Sequence, residues 1–167
     1  MRRLVLIVVN VRSAHNVGSL LRTADALAVE QVLLVGYTPY PKVKNDQRLP
    51  HIAERINRQV VKTALGAEKT VDWWHLNLAS LPERLAELKT QGFQAVALEQ
   101  TPTAQDLGRF KAAKRVCLLV GSEIGGLDPP VLAICDSVVQ IPMLGRKDSL
   151  NVAVAAGIAL YQLRVGS

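Results

Sequence analysis

The chain has 167 residues, 49% of them apolar, a formal net charge of +6 and only 4% aromatic residues. That length suits a single domain, residues 1–167, whose core needs neither metal nor disulfide, and no apolar run approaches the roughly 18 residues of a membrane span. The positive excess fits a polyanionic partner, because each phosphate contact releases counterions; so few aromatics disfavour a base-stacking sheet of the RRM type.

Met1-Arg2-Arg3 ahead of Leu4–Val9 has the outline of a signal peptide. The apolar run is short, Asn10 and Arg12 follow at once, and no small-residue cleavage site is present. A buried first strand in a cytoplasmic protein is the expectation. Gln31–Val35, Gln94–Leu98, Val116–Val120 and Val138–Ile141 are likewise short and apolar on both faces, as strands of a helix-covered parallel sheet are. Val17–Ala28 sets Val17, Leu20, Leu21, Ala24 and Leu27 on one helical face. Gly36–Pro50 mixes prolines and basic residues without periodicity, which predicts a long surface loop, and Arg55, Arg58 and Lys62 continue its charge. Ser80 is an expected N-cap for a helix over Leu81–Thr90, with Gly92 as terminator. Pro129 and Pro130 open a short helix. The last helix, Leu150–Leu163, is apolar nearly all round and must be buried on more than one side. Cys117 and Cys135 sit in apolar stretches as core residues. The alternation as a whole predicts an α/β architecture with a mostly parallel sheet.

Three polar segments follow strand ends, where α/β proteins hold small ligands. In Asn10 to Ala24, Asn16 is either an N-cap or a site residue. Gly18 marks a close backbone approach. Arg22, four residues beyond Gly18 on the same side of the helix, is either a solvated surface residue or a fork for a phosphate. In Leu118 to Pro130, three glycines follow a buried strand, and Glu123, the acid within that loop, is either surface decoration or a carboxylate fixing a cofactor or RNA geometry. In Ile141 to Asn151, Ser149 is either the cap of the last helix or, with Asn151, part of a site at the helix mouth. Neither a dinucleotide-binding G-x-G-x-x-G nor a P-loop nor a G-x-S-x-G elbow occurs, and His15, His51 and His75 are scattered, so no metal site is expected.

Asn16-x5-Arg22-Thr23-Ala24, Gly121-x-Glu123-x-x-Gly126-Leu127, and Ile141-Pro142-Met143 through Ser149-Leu150-Asn151 resemble, in order, the three motifs of the SpoU/TrmH family of SPOUT RNA methyltransferases, in its minimal form without an added N-terminal RNA-binding domain. Lys62 to Ala67 resembles a looser family segment joining the halves of the domain. The resemblance implies an α/β knot whose C-terminal third is threaded into a trefoil. It implies S-adenosyl-L-methionine as cofactor, held by backbone around Gly121, Ile141, Met143 and Leu150. It implies a homodimer whose active site uses both chains, and a substrate RNA, tRNA more than rRNA, methylated on a ribose 2′-hydroxyl. Arg22 would activate that hydroxyl, with Asn16, Glu123, Ser149 and Asn151 shaping the site. Since a guanidinium is a poor base, Arg22 is read as binding a neighbouring phosphate and stabilising the developing alkoxide while the proton passes to phosphate or water; His15 is an alternative base. A base-nitrogen methyltransferase and a catalytically inactive RNA-binding relative are the competing readings. Gly145-Arg146-Lys147-Asp148 departs from the family, whose loop there often carries small and acidic residues.

Overall fold

The structure, a computed structural model, describes residues 1–166. Strands β1 (Arg3–Val9), β2 (Gln31–Val35), β3 (Trp73–Leu76), β4 (Gln94–Leu98), β5 (Gln105–Asp106), β6 (Arg115–Val120) and β7 (Ser137–Gln140) form one sheet in the order β3-β2-β1-β6-β4-β7-β5, with every strand pair parallel. Helices α1 (Ala14–Ala26), α2 (Pro50–Ala64), α3 (Ala67–Thr70), α4 (Leu81–Thr90), α5 (Pro129–Ala133) and α6 (Val152–Val165) complete the fold.

Alternation along the central strand explains the layering. Leu4, Leu6 and Val8 point to one face, where they join Val17, Leu20 and Leu21 of α1, Val60 and Ala64 of α2, and Leu160 and Leu163 of α6. Val5, Ile7 and Val9 point to the other, with Leu81, Leu85 and Leu88 of α4 and Val131 of α5. A strand buried on both faces reads as an unbroken apolar run, which is why β1, β2, β4 and β6 were plain in the sequence. Cys117 is buried and Cys135 half-buried, both with free thiols; burial pushes them up to about 12 and about 11, so both stay protonated at neutral pH. Among the described residues no helix is long and apolar enough to cross a membrane.

Several boundaries differ from expectation for identifiable reasons. Helix α1 begins at Ala14 because Ser13, not Asn16, is its N-cap: the Ser13 hydroxyl accepts from the Asn16 backbone N–H at 3.2 Å. Helix α6 begins at Val152 because Asn151, not Ser149, caps it, its side-chain oxygen accepting from Ala153 N at 2.9 Å and Val154 N at 3.4 Å. Helix α4 does span Leu81–Thr90 with Ser80 at its N-cap position, but the Ser80 side chain makes no capping hydrogen bond and a 3₁₀ turn over Leu78–Ser80 leads into the helix. Strand β7 lies one residue earlier than predicted. Within this chain α6 is buried on one side only: Ala156, Ala159, Leu160 and Leu163 are covered, while Val154, Ile158, Tyr161 and Val165 lie exposed.

The basic segment splits in two. Residues 37–49 form an ordered loop in which Arg48 is used internally: it pairs with Asp46 at 2.5 Å and stacks 3.6 Å from the Tyr40 ring centroid, and Tyr40 stacks on His75. The hydrogen bond from Arg48 holds the Asp46 carboxyl well below the usual carboxylate range. From Pro50 onward the chain is helical, and α2 packs on α1. Gly18 is the close approach its position predicted: a Cβ there would lie 2.1 Å from Thr63 Oγ1 and 2.2 Å from the Val60 carbonyl oxygen of α2.

Candidate active site

A fully parallel sheet sends the loops after all its strands to one edge. The loops following β4, β6 and β7, with the first turn of α6, enclose a cavity of about 510 Å³, within the range of small-molecule sites. All four residues expected to hold a cofactor, Gly121, Ile141, Met143 and Leu150, line it, and so do Glu123, Ser149 and Asn151. Gly121 admits no side chain: a Cβ would lie 2.2 Å from Gly126 C, 2.3 Å from Gly126 O and 2.5 Å from Leu127 N. That contact is with backbone, fixed by reciprocal 3.0 Å hydrogen bonds between Ser122 and Gly126.

One line of hydrogen bonds joins the three polar segments. Glu123 accepts from the backbone N–H of Arg12 at 3.0 Å and of Ser13 at 3.2 Å, and from the Asn16 side-chain amide at 2.9 Å. The Asn16 side-chain oxygen in turn accepts from Asn151 Nδ2 at 3.1 Å. Glu123 thus ties down the start of α1 from across the sheet edge, Asn151 does the same for α6, and Asn16 stands between them. Ser149 donates to Asp148 at 3.4 Å and faces the cavity.

Burial pushes the Glu123 carboxyl up, but the hydrogen bonds from Arg12, Asn16 and Ser13 outweigh it and leave the group below the ordinary glutamate value. A carboxylate lowered on folding contributes stability above the unfolded value, and that contribution is lost as pH falls through the folded one. Glu123→Gln is therefore expected to lower the melting temperature at about pH 7 and to lower it less near about pH 3. The shift is modest, because the group is largely exposed. Thermal melts of both proteins at the two pH values check this.

Arg22 is elsewhere. It lines a second cavity, of about 660 Å³, together with Ser19, Thr23, Lys62, Thr63, Gly157 and Tyr161, and is absent from the lining of the first. The spacing that put Arg22 on the Gly18 side of α1 is the reason, because that side faces α2. Asn16 lines neither cavity; it acts through Glu123 and Asn151. His15 is exposed and outside both cavities, with its backbone carbonyl accepting from Thr63 Oγ1 at 2.8 Å, so no geometry favours it as a base.

Two polar cavity residues just after β4 were among those not anticipated. Glu99 accepts from Leu127 N at 2.8 Å, and Gln100 donates to the Asp148 carbonyl at 2.8 Å, so the end of β4 props the loops after β6 and β7. A polar Glu-Gln pair directly after an apolar strand was the available signal. Among the described residues no group of His, Cys, Asp and Glu is arranged to hold a metal.

Residues 3–161 match the sequence profile of the SpoU rRNA Methylase family. The chain belongs to this family. It is 32% identical over 159 residues to the 23S rRNA (guanosine-2'-O-)-methyltransferase RlmB of Ralstonia nicotianae, covering 95% of this chain and 57% of that one. It is 31% identical over 160 residues to the tRNA (guanosine(18)-2'-O)-methyltransferase of Aquifex aeolicus, covering 95% and 67%. The AdoMet-bound rRNA methyltransferase from Sinorhizobium meliloti superposes with a TM-score of 0.76 at 25% identity, over 99% of this chain and 57% of that one. The chain thus spans little more than half the length of several SpoU relatives that it matches. Their shared architecture is the parallel α/β sheet described above, and the three motif segments identified from sequence are the ones that meet at its edge.

Proposed function

We propose that residues 1–167 act as a single SpoU methyltransferase domain that transfers a methyl group from S-adenosyl-L-methionine to a ribose 2′-hydroxyl of RNA, tRNA in preference to rRNA, in the cytoplasm. The observation that carries this reading is the hydrogen-bonded line Glu123–Asn16–Asn151. It joins residues of all three motifs beside one ligand-sized cavity, lined by Glu123 and Asn151, and ties to its rim the helix bearing Arg22.

The cavity suits the cofactor. Backbone around Gly121, Ile141, Met143 and Leu150 would hold adenine and ribose, and the absent Gly121 side chain lets the loop after β6 fold tightly on itself to form that wall. When bound, S-adenosyl-L-methionine supplies a methyl group already activated by the adjacent sulfonium charge. The chain's own residues are left with alignment and charge stabilisation. Arg22 is a fixed cation with no ion-pair partner among the described residues, free to hold an RNA phosphate beside the reacting sugar and to stabilise the oxygen as its proton leaves to phosphate or water.

The separation of Arg22 from the cofactor cavity supports a homodimer. The Arg22 cavity is walled by Gly157 and Tyr161 of α6, the helix whose Val154, Ile158, Tyr161 and Val165 stripe is left uncovered within one chain. A second copy seated on that stripe buries it and brings its own cofactor cavity toward Arg22. The C-terminal trefoil threading is part of the same proposal.

The test uses unmodified tRNA transcripts and methyl-labelled S-adenosyl-L-methionine, followed by nuclease digestion and mass spectrometry. A labelled 2′-O-methyl nucleoside is the expected product. A base-methylated nucleoside would transfer the reading to base-nitrogen chemistry. Absence of cofactor binding heat, with RNA still bound, would make the chain an inactive RNA-binding relative.

A further inference from the structure

We propose that the outer face of α2 is a phosphate track that carries the RNA strand away from the Arg22 cavity. This rests on the RNA-methylating reading above and assigns a role to the basic helix which that reading leaves unused. His51, Arg55, Arg58 and Lys62 are the exposed polar positions of α2, and their spacing of four, three and four residues places them in one row along the helix. The opposite side of α2, Ala53, Val60 and Ala64, is buried, so the row is held on a rigid support.

The charges in this row are free of ion pairs, unlike five other cations of the chain. Arg3 pairs with Glu30, Lys42 with Glu54, Arg48 with Asp46, Arg84 with Glu87 and Lys89 with Asp136. Glu54, the acid within α2, is taken up by Lys42. Among the described residues Arg55, Arg58 and Lys62 have no carboxylate within 4.0 Å, the ion-pair limit met by those five pairs. A polyanion therefore gains their full attraction without displacing a partner.

The row also starts at the right place. Lys62 lines the Arg22 cavity itself. With a helical rise of 1.5 Å per residue, Arg58 lies about 6 Å and Arg55 about 10 Å further along the axis, a progression that suits successive phosphates of one strand. Such contacts position the RNA and read no sequence. Choice of nucleotide then belongs to the rim of the cofactor cavity, and the α2 track supplies affinity and direction.

The experiment measures binding of labelled, unfractionated bacterial tRNA over a range of salt concentrations. The proteins are wild type, the double variant Arg55→Ala/Arg58→Ala, and a control, Lys111→Ala/Lys114→Ala. The control removes the same charge from exposed residues just before β6, at the opposite edge of the sheet. The α2 double variant is expected to bind about tenfold more weakly at low salt, with its log–log salt slope reduced by about 1.5 to 2. The control is expected to match wild type, and Arg55→Lys/Arg58→Lys to restore most of the loss, because a phosphate contact needs charge more than a fork. Cofactor affinity by calorimetry should be the same in all four. Equal loss in the α2 variant and the control would reduce the effect to net charge and overturn the track, as would an unchanged slope in the α2 variant. Failure of wild type to bind tRNA at all would remove the RNA-methylating reading along with it.

Discussion

Arg22→Ala is expected to lower methyl transfer by at least about 100-fold while leaving cofactor affinity unchanged. The split follows from geometry: Arg22 is outside the cavity lined by Gly121, Met143 and Leu150, so calorimetry with S-adenosyl-L-methionine should not register its loss. Arg22→Lys keeps the charge and loses the fork, and should fall in between. Mixing tests whether Arg22 serves its own cavity or a partner's. Arg22→Ala re-paired with a second inactive variant, one that cannot bind cofactor, should recover about a quarter of wild-type activity, because half of randomly re-paired dimers then carry one complete site. No recovery would confine the reaction to one chain. Full activity of Arg22→Ala alone would take the residue out of the mechanism.

Gly121→Ala is expected to cut cofactor affinity by about 100-fold or more, roughly 3 kcal/mol of binding energy. The added methyl meets backbone atoms of Gly126 and Leu127, which cannot rotate aside, and those atoms are held by the Ser122–Gly126 pair and by Glu99. The loop must open to admit it, which moves the floor of the cavity and costs about 1–3 kcal/mol of stability as well. Gly145→Ala, in the loop after β7, is the matching control: its Cβ meets nothing within 4 Å, and both affinity and melting temperature should stay at wild-type values. Unchanged affinity in Gly121→Ala would show that the cofactor does not approach this turn.

Much of this was legible because buried parallel strands leave continuous apolar runs, and because polar residues directly after such runs converge by topology alone. Glu123, Ser149 and Asn151 stood out that way, Gly121, Ile141, Met143 and Leu150 through the family resemblance, and all seven share a cavity. Strand β3 was missed because it is a four-residue edge strand, half exposed, without alternation. Helix α2 was hidden by its own packing: its buried positions, Ala53, Val60 and Ala64, are small, so no strong apolar repeat marks it among the charges. The caps of α1 and α6 were misassigned by a few residues because Ser13, Asn16, Ser149 and Asn151 are all good capping types, and composition cannot choose between neighbours. The place of Arg22 depended on which side of α1 faces α2, a tertiary fact to which the helical period is blind.

With all seven strands running the same way, the molecule has a working rim and an idle one. Insertions or drift in the segments following β4, β6 and β7 reshape what is recognised without touching the interleaved Val and Leu side chains beneath. The segments preceding the strands, such as 111–114, offer sites for dyes or tethers that would leave turnover undisturbed.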